Sequence, residues 1–138
     1  MIKLQGLDHV VLRTRQRARM VSFYSDVLGA RLERTLESIG LYQLRAGDSL
    51  IDLLEISGAP PGDNAAADPN MDHFCLRVID FDAEGVLAHL RACGLEPGEV
   101  AERYGAEGSG PSIYIKDPDG NTVELKGPAQ PGTRLGSR

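Results

Sequence analysis

Tryptophan is absent, aromatic residues make up only 5% of the chain, and there are two cysteines. So few rings leave little for a binding groove built on stacking. Cys75 and Cys93 fall at an expected strand centre and helix end, which reads as two reduced, buried thiols rather than a disulfide framework or a zinc site. No apolar stretch approaches the roughly 20 residues needed to cross a bilayer. Met1-Ile2-Lys3-Leu4-Gln5-Gly6 leads directly into the first strand without a signal-like apolar region, so a soluble, cytoplasmic protein is expected. Runs of Lys or Arg are also missing, and the net charge is −5, which argues against nucleic acid or an anionic membrane as partner. The loose group Arg13, Arg15, Arg17 and Arg19 precedes a helix and is expected to be a solvated face. What these absences leave is a small-molecule partner. At 138 residues the chain suits one domain, or two small modules sharing a core.

What is present is a repeat. Leu7-Asp8-His9-Val10-Val11-Leu12-Arg13-Thr14 recurs as Met71-Asp72-His73-Phe74-Cys75-Leu76-Arg77-Val78, with Asp, His, Leu and Arg each returning 64 positions later. Strand alternation over 6–14 sets His9, Val11 and Arg13 on one face and Val10 and Leu12 on the other. Met20, Phe23, Tyr24, Val27 and Leu28 then form a helical stripe over 17–28, closed by Gly29. Strands are expected over 30–36, 39–45 and 49–56. After a Pro-, Gly- and Ala-bearing linker, 57–70, the order repeats: a strand over 72–79 and a helix over about 82–93. Asp82 is the N-cap, Val86, Leu87 and Leu90 are buried, and His89 lies on the surface. Residues 102–110, rich in glycine, read as a mobile loop and candidate lid. Asp117-Pro118-Asp119-Gly120 is a turn joining Ser112–Lys116 to the last strand. The tail 128–138 is expected to be disordered.

Each module ends in an apolar strand that carries one acid, Ile51-Asp52-Leu53 and Val123-Glu124-Leu125. Alternation places Asp52 on the face of His9, and Glu124, with Thr122 and Lys126, on the face of His73. An acid in so apolar a strand must be paired, hydrated or metal-bound. Two imidazoles and two carboxylates are a donor set for a divalent cation. His9, His73 and Glu124 are the expected ligands, with Asp52 a fourth that reaches the ion directly or through water.

These pieces, with Ser22-Phe23-Tyr24 through Val27-Leu28-Gly29 and Ile115-Lys116-Asp117-Pro118-Asp119-Gly120-Asn121, resemble the vicinal oxygen chelate superfamily over about residues 5–127. That superfamily holds glyoxalase I, extradiol dioxygenases, fosfomycin-resistance transferases and bleomycin-resistance proteins. The resemblance implies an α+β fold of two tandem βαβββ modules, 5–56 and 71–127, forming a curved mixed sheet around a metal cavity within one domain, 1–127. It also implies a homodimer and a divalent metal ion (Ni, Co, Zn, Mn or Fe) on His9, His73, Glu124 and Asp52. The chemistry implied is isomerase- or lyase-type, with the metal stabilising an enediolate of a small oxygenated substrate and Glu124 or Asp52 as general base.

Among the reactions, glyoxalase I is favoured by the acid at Asp52 and by Arg13, which matches the arginine gripping the glutathione carboxylate in that enzyme. The rest of that glutathione site does not carry over, since Ile56, Pro69 and Gly110 stand where it has Asn, Arg and Lys. An extradiol ring-cleaving dioxygenase ranks second: Tyr114 matches a substrate-side tyrosine there, but the further active-site histidines are missing. A fosfomycin-type transferase needs a basic pocket that the sequence does not assemble. A drug-sequestering protein of the bleomycin-resistance kind ranks last, because this chain keeps the metal ligands and lacks aromatic residues.

Overall fold

The structure, a computed structural model, describes residues 1, 3, 7–58, 71 and 73–134. The chain divides into two compact units, Met1–Ala67 and Asp68–Arg138. That division falls inside the expected 57–70 linker, most of which lies outside the described residues.

In the first unit, β1 (His9–Thr14) leads into α1 (Arg17–Ser22), followed by β2 (Arg31–Leu36), β3 (Leu41–Ala46) and β4 (Ser49–Glu55). The strands form one mixed sheet in the order β1-β4-β3-β2. β1 runs parallel to β4, and β3 is antiparallel to both of its neighbours. A parallel pair needs a crossover, and α1 with β2 and β3 supplies it. The expected continuous helix over 17–28 is instead α1 followed by a wider π-helical turn over Phe23–Val27. The turn closes when Gly29 N–H and Ala30 N–H donate to Ser25 O and Tyr24 O, with Gly29 at φ 79°. Glycine adopts that left-handed conformation without a Cβ clash.

One face of this sheet is the core. Leu12 lies opposite Leu53, and Tyr42 and Leu44 lie opposite Leu53 and Ile51. All five are buried, together with Met20, Phe23 and Tyr24 from the helical segment. Val27 and Leu28, expected in the same stripe, are only half-buried because the wider turn rotates them off it.

The second unit repeats the plan with β5 (His73–Arg77), α2 (Ala83–Ala92), β6 (Ala101–Gly105), β7 (Gly108–Lys116) and β8 (Thr122–Lys126). Its sheet has the order β5-β8-β7-β6, again with a parallel first–last pair. Asp82 caps α2, its carboxylate accepting from Gly85 N–H at 3.2 Å. Leu90, Ile113, Ile115, Val123 and Leu125 form the core. These two four-stranded mixed sheets are the α+β, tandem βαβββ arrangement that the repeat implied.

Two expectations change here. Residues 102–110 are not a loose lid: β6 and β7 pair as a hairpin from Ala101↔Ser112 to Gly105↔Gly108, since glycines there let the strands turn rather than leaving them unpaired. Residues 128–134, placed by the sequence reading in a disordered tail, are held against that hairpin. Gln130 N–H donates to Ser109 O at 2.7 Å, and Ser109 N–H donates to Thr133 Oγ1 at 2.9 Å. The hairpin is glycine-rich where they meet, and a Cβ on Gly110 would stand 2.4 Å from Pro128 O.

Because Leu53 is fully buried and Val11, one strand away on the other face, is exposed, their truncations should differ. Leu53→Ala is expected to cost about 2–5 kcal/mol in chemical denaturation, and Val11→Ala about 0.5 kcal/mol or less.

Candidate functional site

The faces of the two sheets turned away from their cores carry the sequence-derived residues. In the first unit, Asp52 sits mid-strand in β4, opposite Val11 on β1 and Gln43 on β3. His9 is two residues before Val11 and so shares the face of Asp52. In the second unit, Glu124 lies opposite Cys75 on β5 and Tyr114 on β7, and His73 is two residues before Cys75. The histidine–acid register is therefore the same in both sheets. Both acids are nearly inaccessible, Asp52 at 4% and Glu124 at 5% exposure.

The surroundings of the two acids differ. Gln43 Nε2 donates to Asp52 Oδ2 at 3.1 Å, and Arg34 Nη1 donates to Gln43 Oε1 at 3.2 Å. Arg34 reaches this row only through a β-bulge: the register shifts between Leu32 and Arg34, re-aiming the arginine at Gln43. Asp52 Oδ1 is buried with no hydrogen-bond partner. A buried acceptor left so costs about 1–3 kcal/mol, and more when charged. This oxygen is thus poised to receive a cation. Glu124 instead has His73, whose Nε2 lies 3.3 Å from Glu124 Oε1. The His73 ring meets Tyr114 edge-to-face at 5.3 Å, and the Arg103 guanidinium lies 4.3 Å over the Tyr114 ring.

His9 Nδ1 lies 2.7 Å from Asp8 Oδ2. This hydrogen bond, more than the charge of Asp52, raises the His9 pKa above its ordinary 6.5, against a smaller opposing effect of lost hydration. A carboxylate on one imidazole nitrogen also fixes the ring and increases the basicity of the other nitrogen, as in metal-ligating histidines. Arg13 shares the His9 face, opposite Leu54, and is exposed. Arg77, its repeat counterpart, is tied to Glu107 at 2.5 Å.

Among the described residues, no three His, Cys, Asp or Glu side chains gather closely enough to hold a metal ion. Each unit brings together one histidine and one acid. The donor types and the orphaned Asp52 Oδ1 suit a divalent cation, and either unit alone supplies only two of the expected ligands. Gln43, Arg34 and Arg103 were missed by the sequence reading. Gln43 was legible as the inward-facing partner of Asp52 once β3 and β4 were paired, whereas Arg34 depends on a bulge that no periodicity reveals.

The cysteines also need correction, because both are exposed rather than buried. Cys75 lies on the site face, beside the acid rather than under the helix. Partial desolvation, then the Glu124 charge, pushes its thiol up to about 11, leaving little nucleophilic thiolate at neutral pH. No helix of the described residues is long and apolar enough to cross a membrane.

Two βαβββ units carrying one histidine–acid pair each define a paired-module protein. The family model of the Glyoxalase/Bleomycin resistance protein/Dioxygenase superfamily matches residues 6–125, and the chain belongs to that superfamily. Biphenyl-2,3-diol 1,2-dioxygenase 3 of Rhodococcus globerulus is 32% identical over 124 residues, 87% of this chain and 62% of that protein. The chain thus spans under two thirds of that relative's length. A virulence protein of Salmonella typhimurium is 26% identical over 123 residues, 88% of this chain and 83% of that protein. Its crystal structure aligns with a TM-score of 0.75 and 25% identity over 93% of this chain and 100% of that one. A lactoylglutathione lyase from Agrobacterium tumefaciens shares the fold, with a TM-score of 0.70 at 20% identity over 96% of this chain and 100% of that one.

The raised His9 pKa means that protonation favours the folded state. The stability this pair contributes is complete below the unfolded-chain value and is lost as pH rises through the folded value. NMR titration of the metal-free protein should show His9 with a midpoint above 6.5, falling in Asp8→Asn; an unchanged midpoint in that variant would rule out the Asp8 contact as its cause.

Proposed function

We propose that the two units form one domain, 1–127, in which His9, His73 and Glu124, with Asp52 as the fourth donor, hold one divalent metal ion, and that the protein is a metal-dependent enzyme of the glyoxalase type. The observation that carries this reading is the shared register: each sheet presents a histidine two residues ahead of the position opposite a buried acid. A bound divalent ion supplies Lewis acidity toward two neighbouring oxygens of a small substrate.

The chain's own residues then have separate tasks. Asp52 is held by Gln43, and Gln43 by Arg34, so one oxygen is anchored and the other is free to ligate. Glu124 sits beside His73 and is the better placed general base, since a carboxylate that exchanges a partner can take a substrate proton. Tyr114 and Arg13 flank the two faces as substrate contacts, and a homodimer in the cytoplasm is the expected form. Ile56, Pro69 and Gly110 leave the glutathione contacts of glyoxalase I unmade, so the substrate in this reading is not a glutathione adduct.

A second reading, ring cleavage of a catechol, is favoured by Tyr114 packed on His73 and by the similarity to a biphenyl-2,3-diol dioxygenase. In that case the ion is ferrous iron held by His9, His73 and Glu124.

Elemental analysis and calorimetric titration decide the matter. One divalent ion per chain is expected, with His9→Ala, His73→Ala or Glu124→Gln each weakening binding at least about 100-fold, and Gln43→Leu about tenfold through the orientation of Asp52. Activity on a 2-hydroxycarbonyl compound other than a glutathione hemithioacetal supports the isomerase or lyase reading, and turnover of the glutathione hemithioacetal would overturn the exclusion of glutathione. Iron with turnover of catechols supports the dioxygenase instead. Absence of stoichiometric metal, with ligand binding unchanged in His9→Ala, would make the protein a binding module.

A further inference from the structure

Lys126 is the last residue of β8, on the face of Glu124 and opposite Arg77 and Ser112. It is 95% buried, with 5% of its surface exposed. Its stem is enclosed, and its ammonium makes no hydrogen bond or ion pair with the described residues; Nζ is not among the enclosed polar atoms, so the charged end of the slot is open to a ligand from solvent. The seat is built for it. A Cβ on Gly105 would stand 2.9 Å from Lys126 Cε, and one on Gly110 would stand 3.0 Å from Nζ. The two glycines of the β6–β7 hairpin thus open the slot in which the stem and the charged end lie.

Neither of the two nearby acids makes an ion pair with Lys126. Arg103 Nη1 donates to Ser112 O and Ser112 Oγ, both at 2.9 Å, and stacks on Tyr114 without a carboxylate partner. Arg77 is neutralised by Glu107, and Glu124 is engaged by His73. Two cations, Lys126 and Arg103, therefore lie around Ser112 without an ion-pair partner among the described residues.

We propose that Lys126, with Arg103 behind it, is an anion-binding subsite, and that the substrate carries a carboxylate or phosphate group in addition to its metal-binding oxygens. The inference rests on reading the His73–Glu124 face as the substrate face. Two residues along a strand separate Glu124 from Lys126, which sets the anionic group roughly 7 Å from the acid. The substrate class is thus a small anionic oxygenated compound, with the reacting oxygens at one end and the charge a few bonds away.

The chain has three lysines, Lys3, Lys116 and Lys126, which makes the test direct. The full-length, metal-free protein is labelled by reductive methylation with carbon-13, and its lysine signals are followed as sodium phosphate or, separately, sodium acetate is added at constant ionic strength. The Lys126 signal is expected to move saturably, with the Lys3 and Lys116 signals unmoved, and the better of the two anions identifies the group. Amide shifts of Gly110 and Ser112 in unlabelled-lysine protein should saturate in parallel, and Lys126→Met, which keeps the stem, should weaken that binding by about tenfold or more. His73→Ala should leave the anion response intact while removing metal binding, and Lys126→Met should do the reverse, so failure of the metal reading is distinguishable from failure of this one. No saturable movement at Lys126 with either anion, or equal anion affinity in a folded Lys126→Met protein, would overturn the proposal.

Discussion

The parallel pairing of the first and last strand of each unit is the constraint on which the site depends. Side chains alternate across a strand with period two, so a slip of one residue would turn every site residue into the core and every core residue out. The apolar face prevents that slip. Val10 against Ile51 and Leu12 against Leu53 in the first sheet, and Phe74 against Val123 and Leu76 against Leu125 in the second, hold the register. Because the core face is fixed, His9 and Asp52 emerge together on the opposite face, and so do His73 and Glu124. Packing chooses the register, and the register places the chemistry.

Around that common frame the halves have diverged. The first acid is held by a neutral amide and keeps one oxygen bare; the second is engaged by its own histidine. An orphaned carboxylate oxygen carries a desolvation cost that a bound cation would repay. The second sheet carries the counterpart imbalance, a buried lysine and a stacked arginine with no carboxylate. One unit thus offers a bare carboxylate oxygen at Asp52 and the other an unpaired ammonium at Lys126. The proposed cation and the proposed anionic substrate group are the complements of these two features.

Much of this was legible in the sequence, for a physical reason. The repeat, the alternation in β1, β4, β5 and β8, and the Asp82 cap are local signals, and they give both modules and the face of all four expected ligands. What stayed hidden depends on contacts across strands. The bulge that brings Arg34 to Gln43 leaves no trace in periodicity, and the π-helical turn at 23–27 is masked by a sequence stripe that suits an ordinary helix, although the turn rotates Val27 and Leu28 off it. The glycines of 105–110 read as looseness because their function is to make room, for Lys126 and for the backbone at Pro128. Alternation gives the face of Lys126 but not the enclosure of its stem, which comes from the hairpin and not from its own strand. Cys75 lies exposed on the site face because an apolar strand centre does not by itself say which face is the core.

The central claim is that the two repeated histidines serve one ion. Cobalt-substituted protein tests it most directly, since imidazole protons on a ligating ring acquire large paramagnetic shifts in proton NMR. Two such shifted imidazole signals are predicted, one lost in His9→Ala and the other in His73→Ala. Shifted signals from only one histidine, or from neither, would contradict the account.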